Sequence, residues 1–297
     1  MKQPATVLLF AGILAACSIT KAQTTGGPQE QTKTSIQKFS SMNQKQKTTA
    51  FFQAVNSRNV SSYEQLVQED YIQHNPHIPT GRAALASLFP VLEQHGTKAE
   101  NIRIIEDGNF VVIHNLWTNA TPFGAKEVVS FDVLRFDENG LIAEHWDALT
   151  PNTLPNPSGR TLTDGPTEVT GLDKTEANKT KVVHLFNTLI NGRQEEVGAA
   201  VMGNFYPDYK QHSPVAGDGI PAVFEAFGEE EWVYLKQHKV IGEGNFVLSI
   251  CEGTAKGVPS VFYDLVRFEN GKIAEHWDVI QQIPTENLAN DNTMFNF

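Results

Sequence analysis

The chain contains a long internal repeat, which limits the folds open to it more than any other feature. The segment Tyr71–Pro76 (YIQHNP) returns 138 residues later as Tyr209–Pro214 (YKQHSP), and Ala143–Asp147 (AEHWD) returns unchanged 131 residues later as Ala274–Asp278. The order of the repeated segments is kept, and such a period is far longer than the structural units of solenoid proteins. Two copies of one domain are therefore predicted.

The repeat and the composition between its copies set the expected domain boundaries. With 297 residues, of which 40% are hydrophobic, the chain is long enough for two domains that each bury a core. Residues 151–173 are rich in Pro, Gly, Thr and Asn, which is typical of a linker. The predicted divisions are a signal peptide (1–22), a flexible tether (23–42), domain 1 (43–151), a linker (152–173), domain 2 (174–284) and a C-terminal tail (285–297).

Each copy begins with helical patterns and ends with strand patterns. In domain 2, apolar residues recur at helical spacing from Val182 to Ile190 and predict an amphipathic first helix. In domain 1 the matching helix is expected over residues 44–56, followed by a short second helix and by a third helix over residues 83–94. Alternating apolar residues then predict strands over 102–105, 110–117, 128–136 and 142–149. The predicted fold class is α+β, with three helices packed on a curved antiparallel sheet in each domain.

The first residues have the character of an export signal. Lys2 precedes an apolar run, Val7–Ala16, that is too short to cross a bilayer comfortably. The run ends at Leu14–Cys17 (LAAC), which resembles the bacterial lipobox, in which the cysteine becomes the acylated first residue of a lipoprotein. Cleavage after Ala22 is the alternative. The protein is therefore expected to be exported, either lipid-anchored and facing the periplasm or cell exterior, or secreted.

The acidic charge argues against two classes of partner. The chain has 23 Lys and Arg residues against 34 Asp and Glu residues, and the resulting charge of −11 repels nucleic-acid phosphates and anionic membrane surfaces. No nucleic-acid partner is expected, and membrane contact is expected only through the lipid anchor. The sequence lacks a Gly-rich phosphate loop, a Gly-x-Ser-x-Gly elbow and a Cys-x-x-Cys pair, so no cofactor is predicted.

The repeated motifs resemble the SnoaL-like branch of the NTF2-like superfamily. The resemblance rests on helices followed by a curled sheet, on Gln73–Pro76 (QHNP), and on the closing strand Asn139–Asp147 (NGLIAEHWD). Residues Asp132–Glu138 are also similar to a strand of ketosteroid isomerases, in which an Asp keeps a proton and stabilises a developing enolate. The resemblance implies two tandem cone-shaped domains. Because this scaffold serves polyketide cyclases, isomerases, dehydratases and non-catalytic binding modules, it does not fix the function.

Asp132 is the first candidate for catalysis. Alternation along its strand places it on one face with Ser130 and Leu134, and in the resembling isomerases this face lines the cavity. A carboxyl group in an apolar pocket is favoured in its neutral form, which can donate a hydrogen bond to an enolate. The alternative is that Asp132 pairs with Arg135 or lies at a solvent-facing sheet edge.

The closing strand supplies a second group of candidates. His145 and Asp147 share one face, opposite Ile142, Glu144 and Trp146. An Asp can orient a His two residues away, and His is a natural general base or acid near neutral pH. The alternative is that this pair only satisfies the sheet interior.

His74 is expected in a loop at the cavity mouth, so a pocket that holds His74, Asp132 and His145 is predicted. The alternative is a structural Gln-His turn fixed by Pro76. Domain 2 repeats these groups in a weaker form, since it has Ser213 in place of Asn75 and lacks Trp117. Its candidates are His212, Asp264, His276 and Asp278.

Two departures separate the chain from the steroid isomerases. Phe51 and Phe52 stand where those enzymes keep a Tyr on the first helix, and His74-Asn75 stands where they keep the catalytic Asp base. The first hypothesis is therefore acid-base catalysis of the aldol, cyclase or isomerase type on a small carbonyl compound, with His74 or His145 as base and Asp132 as oxyanion donor.

The second hypothesis is a non-catalytic module for small-molecule binding or assembly. The resemblance also raises the pairing of the two copies with each other, as in homodimers of this fold. A metal site built from His74, His114, His145 and Asp147 is conceivable by ligand type, but these residues lack a close metal-binding spacing and no metal is predicted.

Overall fold

A computed structural model of the chain describes residues 39–297. The predicted signal peptide, Cys17 and most of the predicted tether lie outside the described residues. Within them the chain forms two units, each with helices and a five-stranded sheet, so the α+β prediction is confirmed. Among the helices in this part of the chain, none is long and apolar enough to cross a membrane.

Within residues 43–151, domain 1 has four α-helices, where three were predicted. They are α1 (Gln44–Ser57), α2 (Val60–Glu64), α3 (Arg82–Ala86) and α4 (Phe89–His95). The prediction of a single helix over residues 83–94 is wrong. Pro90 has no N–H, and in a continuous helix its ring would clash with the carbonyl group of Ala86, so the helix divides between these residues.

The sheet of domain 1 is mixed, and the prediction of an antiparallel sheet is wrong at one edge. Its strands are β1 (Val67–Gln73), β2 (Lys98–Asp107), β3 (Phe110–Thr118), β4 (Glu127–Phe136) and β5 (Ile142–Pro151), in the order β1-β5-β4-β3-β2. The unpredicted strand β1 runs parallel to β5, whereas the other neighbours are antiparallel. Glu69 and Asp70 are both exposed at a register shift in β1, which hides its alternation in the sequence.

Domain 2 repeats this plan. Its helices are α5 (Thr175–Asn191), α6 (Gln194–Asn204) and α7 (Ile220–Glu229), and its strands are β6 (Phe205–Gln211), β7 (Val233–Glu243), β8 (Phe246–Ala255), β9 (Val258–Glu269) and β10 (Lys272–Gln282). The strand order β6-β10-β9-β8-β7 corresponds strand for strand to that of domain 1, and β6 is likewise parallel to β10.

The sheet of domain 1 is buried on both faces. Leu134 on β4 points to the helix side and belongs to the core between sheet and helices. Phe131 and Trp146 lie on the opposite face, where they share one apolar cluster with Trp277 and other residues of domain 2. The two sheets therefore pack face to face, and only the helix-side face of each is left to form a pocket.

One residue of β5 departs from the predicted alternation. Ile142 was expected opposite His145, but it belongs to the helix-side core. Arg135 pairs with Glu144 while Phe136 pairs with Ile142, so one extra residue is inserted in β5. Such a bulge reverses the direction of the side chains that precede it.

The segments outside the two units are also packed. Phe39 is 8% exposed and lies in the helix-side core, so residues 39–42 of the predicted tether belong to domain 1. Leu162 of the linker and Met294 of the tail are buried in the cluster between the two sheets. The linker and the tail are therefore part of the folded protein.

Candidate active site

Three side chains on neighbouring strands form the centre of the candidate site. Asp132 on β4 lies opposite Asp147 on β5, two residues beyond His145. His145 Nε2 is 2.9 Å from Asp132 Oδ1 and 3.8 Å from Asp147 Oδ2. Between 3 and 6% of each residue is exposed. Strand pairing thus brings together three ionisable groups in a nearly dry environment.

Asp132 accepts hydrogen bonds from three donors. Ser130 Oγ and Asn115 Nδ2 donate to its Oδ2 at 2.5 and 2.8 Å, and His145 Nε2 donates to its Oδ1. Trp117 Nε1 donates to Ser130 Oγ at 2.9 Å, so the hydroxyl proton of Ser130 is free to point at Asp132. This pattern fits an ionised carboxylate that holds His145. The resemblance predicted instead a neutral Asp132 that donates a hydrogen bond to an enolate. The groups around Asp132 are donors, however, and they leave its oxygens in the role of acceptors.

Gln73 fixes the orientation and the tautomer of His145. The Gln73 amide oxygen accepts the N–H of Asn75 at 2.9 Å, which leaves Nε2 to donate to His145 Nδ1 at 3.1 Å. The ring proton therefore lies on Nε2. Burial lowers the pKa of His145, but the hydrogen bond to Asp132 and the charges of both carboxyl groups give a net upward shift. If Nδ1 were protonated, its N–H would face the N–H of Gln73 Nε2, and two donors would point at each other. Gln73 therefore favours the neutral ring.

Burial has a large effect on the pKa of Asp147, the second carboxyl group of the cluster. Burial raises its pKa to about 7; His145 and a hydrogen bond act in the opposite direction, and Asp132 adds to the rise. That hydrogen bond comes from Asn75 Nδ2, which donates to Asp147 Oδ1 at 2.7 Å. A carboxyl group with a pKa near 7 exchanges a proton readily at neutral pH.

A small apolar cavity of about 70 Å³ adjoins this cluster. Asn75, Asp132, His145 and Asp147 are its polar lining residues. The remaining lining is aromatic or aliphatic and comes from the helices and the helix-side face of the sheet: Phe51, Phe52, Val55, Ile78, Leu85, Leu88, Phe89, Trp117, Phe123 and Leu149. The site therefore suits an apolar molecule with a polar group directed at the sheet.

His74 does not join the predicted pocket, which is a correction to the sequence analysis. Alternation places Gln73 and Asn75 on the cavity side, so His74 points to the opposite face. Its ring stacks on Trp146 with centroids 4.4 Å apart, and its Nδ1 donates to the carbonyl oxygen of Thr293 at 2.7 Å. Burial lowers the pKa of His74. The motif supplies the site through the residues on either side of His74.

His114 also lies away from the cavity, on the face packed against domain 2. Its ring centroid is 4.4 Å from that of Phe131, and its Nδ1 accepts a hydrogen bond from Arg103 at 3.0 Å. The conceivable four-residue metal site is therefore excluded, because two of its members, His74 and His114, point to the other side of the sheet.

The comparison with protein families agrees with this geometry. Residues 48–145 match the SnoaL-like domain model. Domain 1 is a SnoaL-like domain. The match confirms the resemblance found for this part of the sequence. No curated protein sequence matches the chain.

Several solved structures are similar to one domain of the chain. IdmH from Streptomyces antibioticus, a proposed polyketide cyclase, is 16% identical, with a TM-score of 0.31 over 36% of this chain and 92% of IdmH. A proposed ketosteroid isomerase from Kribbella flavida is 19% identical, with a TM-score of 0.33 over 42% of this chain and 90% of that protein. TsrD from Streptomyces laurentii is 16% identical, with a TM-score of 0.31 over 35% and 86% of the two chains.

Domain 2 contains the same frame as the SnoaL-like domain. His276 Nε2 lies 3.0 Å from Asp264 Oδ1, and His276 Nδ1 lies 3.0 Å from Gln211 Nε2. Burial raises the pKa of Asp278 to about 6. His212, like His74, lies on the other face of the sheet, where its ring stacks 4.5 Å from that of Trp277. The predicted role of His212 in the second pocket is therefore also corrected.

The three central residues of the SnoaL-like domain could be considered for a cation. One ligand atom from each of Asp132, His145 and Asp147 lies within 4.8 Å of the others. Both ring nitrogens of His145 already have hydrogen-bond partners, however, and a cation at Nε2 would have to displace the proton shared with Asp132. Hydrogen bonds between described residues account for the cluster, and we assign it no metal.

Sequence reasoning missed the roles of Gln73 and Asn75. The prediction emphasised His74 because imidazole is the reactive group of the motif, yet the flanking amides are the residues that reach His145 and Asp147. A signal was present: Gln recurs at position 211 in the second copy, next to the recurring His212.

Proposed function

We propose that the SnoaL-like domain catalyses a cofactor-independent proton transfer at a carbon next to a carbonyl group, in a reaction of the aldol, cyclase or isomerase type. The observation that carries the proposal is the placement of Asp147, a buried carboxyl group with a pKa of about 7, beside a histidine of fixed tautomer and an apolar cavity. A base of this pKa is suited to operate near neutral pH.

The proposed step begins with Asp147 as the carboxylate. Its Oδ2 takes a proton from the carbon next to the carbonyl group, the C–H electron pair forms a C=C bond, and the carbonyl π pair moves to oxygen to give an enolate. Asn75 Nδ2 also lines the cavity and donates one of its two hydrogens to Asp147, so its second hydrogen can stabilise that oxygen. The Nε2–H of His145 meanwhile stays on Asp132. In an isomerisation Asp147 then delivers this proton to the far carbon of a conjugated enolate; in an aldol-type reaction it delivers the proton to the alkoxide formed when the enolate carbon attacks a second carbonyl group.

The lining residues favour an uncharged substrate. None of the described residues that line the cavity is Lys or Arg, and two of them are carboxylic acids. A carboxylate or phosphate ester would therefore enter without a counter-ion and face Asp132. Aromatic rings of Phe51, Phe89 and Trp117 would instead contact the apolar body of a neutral ketone or aldehyde.

Deuterium exchange tests this proposal. The protein is incubated in deuterated water with a library of neutral ketones and aldehydes, and NMR follows the carbon-bound protons next to each carbonyl group. We expect exchange in the wild type, a loss of about 100-fold or more in the Asp147→Asn variant, and little change in the matched Asp278→Asn variant. Saturable binding without exchange would overturn the enzymatic proposal in favour of a binding module.

The two copies are further proposed to act as an intramolecular pair. Supporting contacts are reciprocal: Lys45 Nζ donates to Glu243 at 2.7 Å, and Lys179 Nζ lies 2.7 Å from Asp107. Each lysine belongs to the first helix of one domain, and each acid lies at a strand end of the other. Together with the apolar cluster between the sheets, these ion pairs support a pseudo-twofold arrangement.

Export is the last part of the proposal, and it rests on the N-terminal sequence. We propose that Cys17 is acylated after signal cleavage and anchors the protein to a membrane. Metabolic labelling with a fatty-acid analogue tests this in cells. Label in the wild type and none in Cys17→Ser is expected, whereas an unlabelled product beginning after Ala22 would support simple secretion.

A further inference from the structure

Two segments outside the domains bind the two Gln-His loops in a crossed arrangement. The C-terminal strap, residues 289–297, follows domain 2 but lies on domain 1. The linker strap, residues 156–166, follows domain 1 but lies on domain 2. Each loop is therefore held by the segment that leaves the other domain.

The C-terminal strap binds the backbone of the loop that carries Gln73 and Asn75. Asn290 Nδ2 donates to the carbonyl oxygens of Asn75 and Ile78 at 2.7 and 2.8 Å, and Asn292 Nδ2 donates to the carbonyl oxygen of Gln73 at 2.9 Å. The carbonyl groups of both cavity-facing residues of the motif are thus bound directly by the strap.

The outer end of the C-terminal strap is anchored on the far side of the sheet. Thr293 accepts the hydrogen bond from His74, and the ring of Phe297 stacks on Trp146 at a centroid distance of 4.6 Å. These contacts hold the polar part of the strap in register with the loop, which extends from strand β1.

The linker strap makes matching contacts on domain 2. Asn156 Nδ2 donates to the carbonyl oxygens of Gln211, Ser213 and Ala216 at 2.6, 3.2 and 2.9 Å. Thr161 accepts a hydrogen bond from His212 at 2.9 Å. Since Asn156 corresponds to Asn290 in its contacts, the chain supplies its own control for any change made to the C-terminal strap.

We propose that Asn290 and Asn292 are positioning residues for the site of domain 1. They hold the backbone of Gln73 and Asn75, whose side chains in turn orient His145 and Asp147. The site of one domain is completed by the segment that follows the other. This inference deepens the proposed function and rests on it only for the effect on turnover.

The mechanism follows from the geometry of the Gln73 amide. Its oxygen is held by the N–H of Asn75, and its nitrogen then faces His145 Nδ1. If the strap releases the carbonyl groups of Gln73 and Asn75, the backbone between these residues can rotate. The side-chain amide of Gln73 can then flip, which exchanges the positions of its oxygen and its nitrogen. His145 then loses the donor that keeps its proton on Nε2, and Asp147 loses the amide of Asn75.

A near-isosteric pair of variants tests the proposal in the full protein. Asn290→Asp removes the donor but keeps the Oδ oxygen that accepts the N–H of Asn292, so the turn of the strap itself is retained. Asn156→Asp makes the same change in the linker strap. Ring-nitrogen NMR of ¹⁵N-histidine protein reports the tautomer of each imidazole, with His145→Gln and His276→Gln used for assignment.

In the wild type, His145 should give the ring-nitrogen signals of one tautomer, with the proton on Nε2. We expect Asn290→Asp to abolish this pattern at His145 and to leave the signals of His276 unchanged. Asn156→Asp should change His276 and leave His145 unchanged. Retained melting temperature and amide fingerprint elsewhere would identify a local effect. Unchanged His145 signals in a folded Asn290→Asp variant, or equal changes at both histidines, would overturn the proposal. Because this readout needs no turnover, it is independent of whether the protein proves to be an enzyme. Asn292→Ala provides a second variant without added charge, if the first fails to fold.

Discussion

The two domains share a frame of Gln, His and two Asp residues but differ in what surrounds it. The His-to-Asp distance is 2.9 Å in domain 1 and 3.0 Å in domain 2. In domain 1 the second oxygen of Asp132 accepts two hydrogen bonds. In domain 2 the second oxygen of Asp264 has no partner among the described residues. The frame thus belongs to the fold, and its surroundings distinguish the copies.

Three substitutions between the copies explain the difference. Strand pairing sets Asn115 opposite Ser130 in domain 1, where domain 2 has Cys251 opposite Phe262. Both donors to the aspartate are therefore replaced by weak or apolar groups. Gly253 takes the place of Trp117, and the ring of Tyr234 packs there, with its centroid 4.8 Å from that of Phe262.

Tyr234 changes the second site in two ways. Its hydroxyl donates to Asp264 Oδ1 at 3.1 Å, the same oxygen that faces His276. Its ring fills space that adjoins the helix side of domain 2, where it also contacts Phe186. Tyr234 therefore occupies space beside the frame of domain 2, in agreement with the proposal that catalysis is confined to domain 1.

The largest effect in this comparison is expected from Tyr234→Ala. Removal of a buried aromatic ring should lower the free energy of unfolding by about 3–5 kcal/mol, because it leaves a cavity. The same cavity should allow domain 2 to bind a small apolar probe, which can be followed by NMR line shifts of the Phe262 ring.

The reciprocal variant is Ala99→Tyr, since Ala99 pairs with Trp117 as Tyr234 pairs with Gly253. We expect it to obstruct the cavity of domain 1 and to abolish probe binding there. Binding of the probe to domain 1 with unchanged affinity would contradict the assignment of the cavity.

A smaller effect is expected when the residue that donates to the aspartate in domain 1 is exchanged with its counterpart in domain 2, Asn115 with Cys251. Asn115→Cys removes a hydrogen bond to an ionised Asp132 and should cost about 1.5–3 kcal/mol of unfolding free energy. Cys251→Asn offers a donor to the unpaired oxygen of Asp264, so it should cost less than Asn115→Cys. Urea unfolding of the two variants measures both values, and equal losses would show that Asp132 and Asp264 have equivalent surroundings.

Much of this architecture was open to prediction because it depends on local pattern. The repeat predicted two copies, and the helical spacing of Val182 and Leu185 predicted the first helix of domain 2, where both residues are buried. Alternation also placed Asp132 and His145 on cavity-facing sides of their strands. Those inferences needed only periodicity, which the chain carries in its own order.

The remaining features depend on contacts between distant parts of the chain. His74 was assigned to the pocket because β1 was not recognised as a strand, so its alternation could not be applied. The bulge that redirects Ile142 is set by the pairing of β5 with β4. The crossed straps place Asn290 beside Asn75, 215 residues away in sequence. Composition predicted a linker over residues 152–173 but gave no sign that this segment would pack against domain 2.

The smallest expected difference between the two domains concerns the pH dependence of stability. Burial raises the pKa of Asp147 to about 7 and that of Asp278 to about 6, from an ordinary value of 3.8. Between its ordinary and its raised pKa, each of these two groups holds a proton in the folded protein that it has released in the unfolded chain. The contribution of the two groups to stability is therefore greatest below about pH 4 and falls as the pH rises. The fall ends near pH 6 for Asp278 and near pH 7 for Asp147.

An amide does not ionise, so replacing either aspartate by asparagine removes the loss of stability that its carboxyl group causes as the pH rises. Above about pH 7, Asp147→Asn should therefore gain more stability relative to the wild type than Asp278→Asn, because the pKa of Asp147 is raised further. Urea unfolding at about pH 5 and about pH 8 measures both gains. A larger gain from Asp278→Asn would reverse the ranking of the two carboxyl groups and would move the candidate base from domain 1 to domain 2.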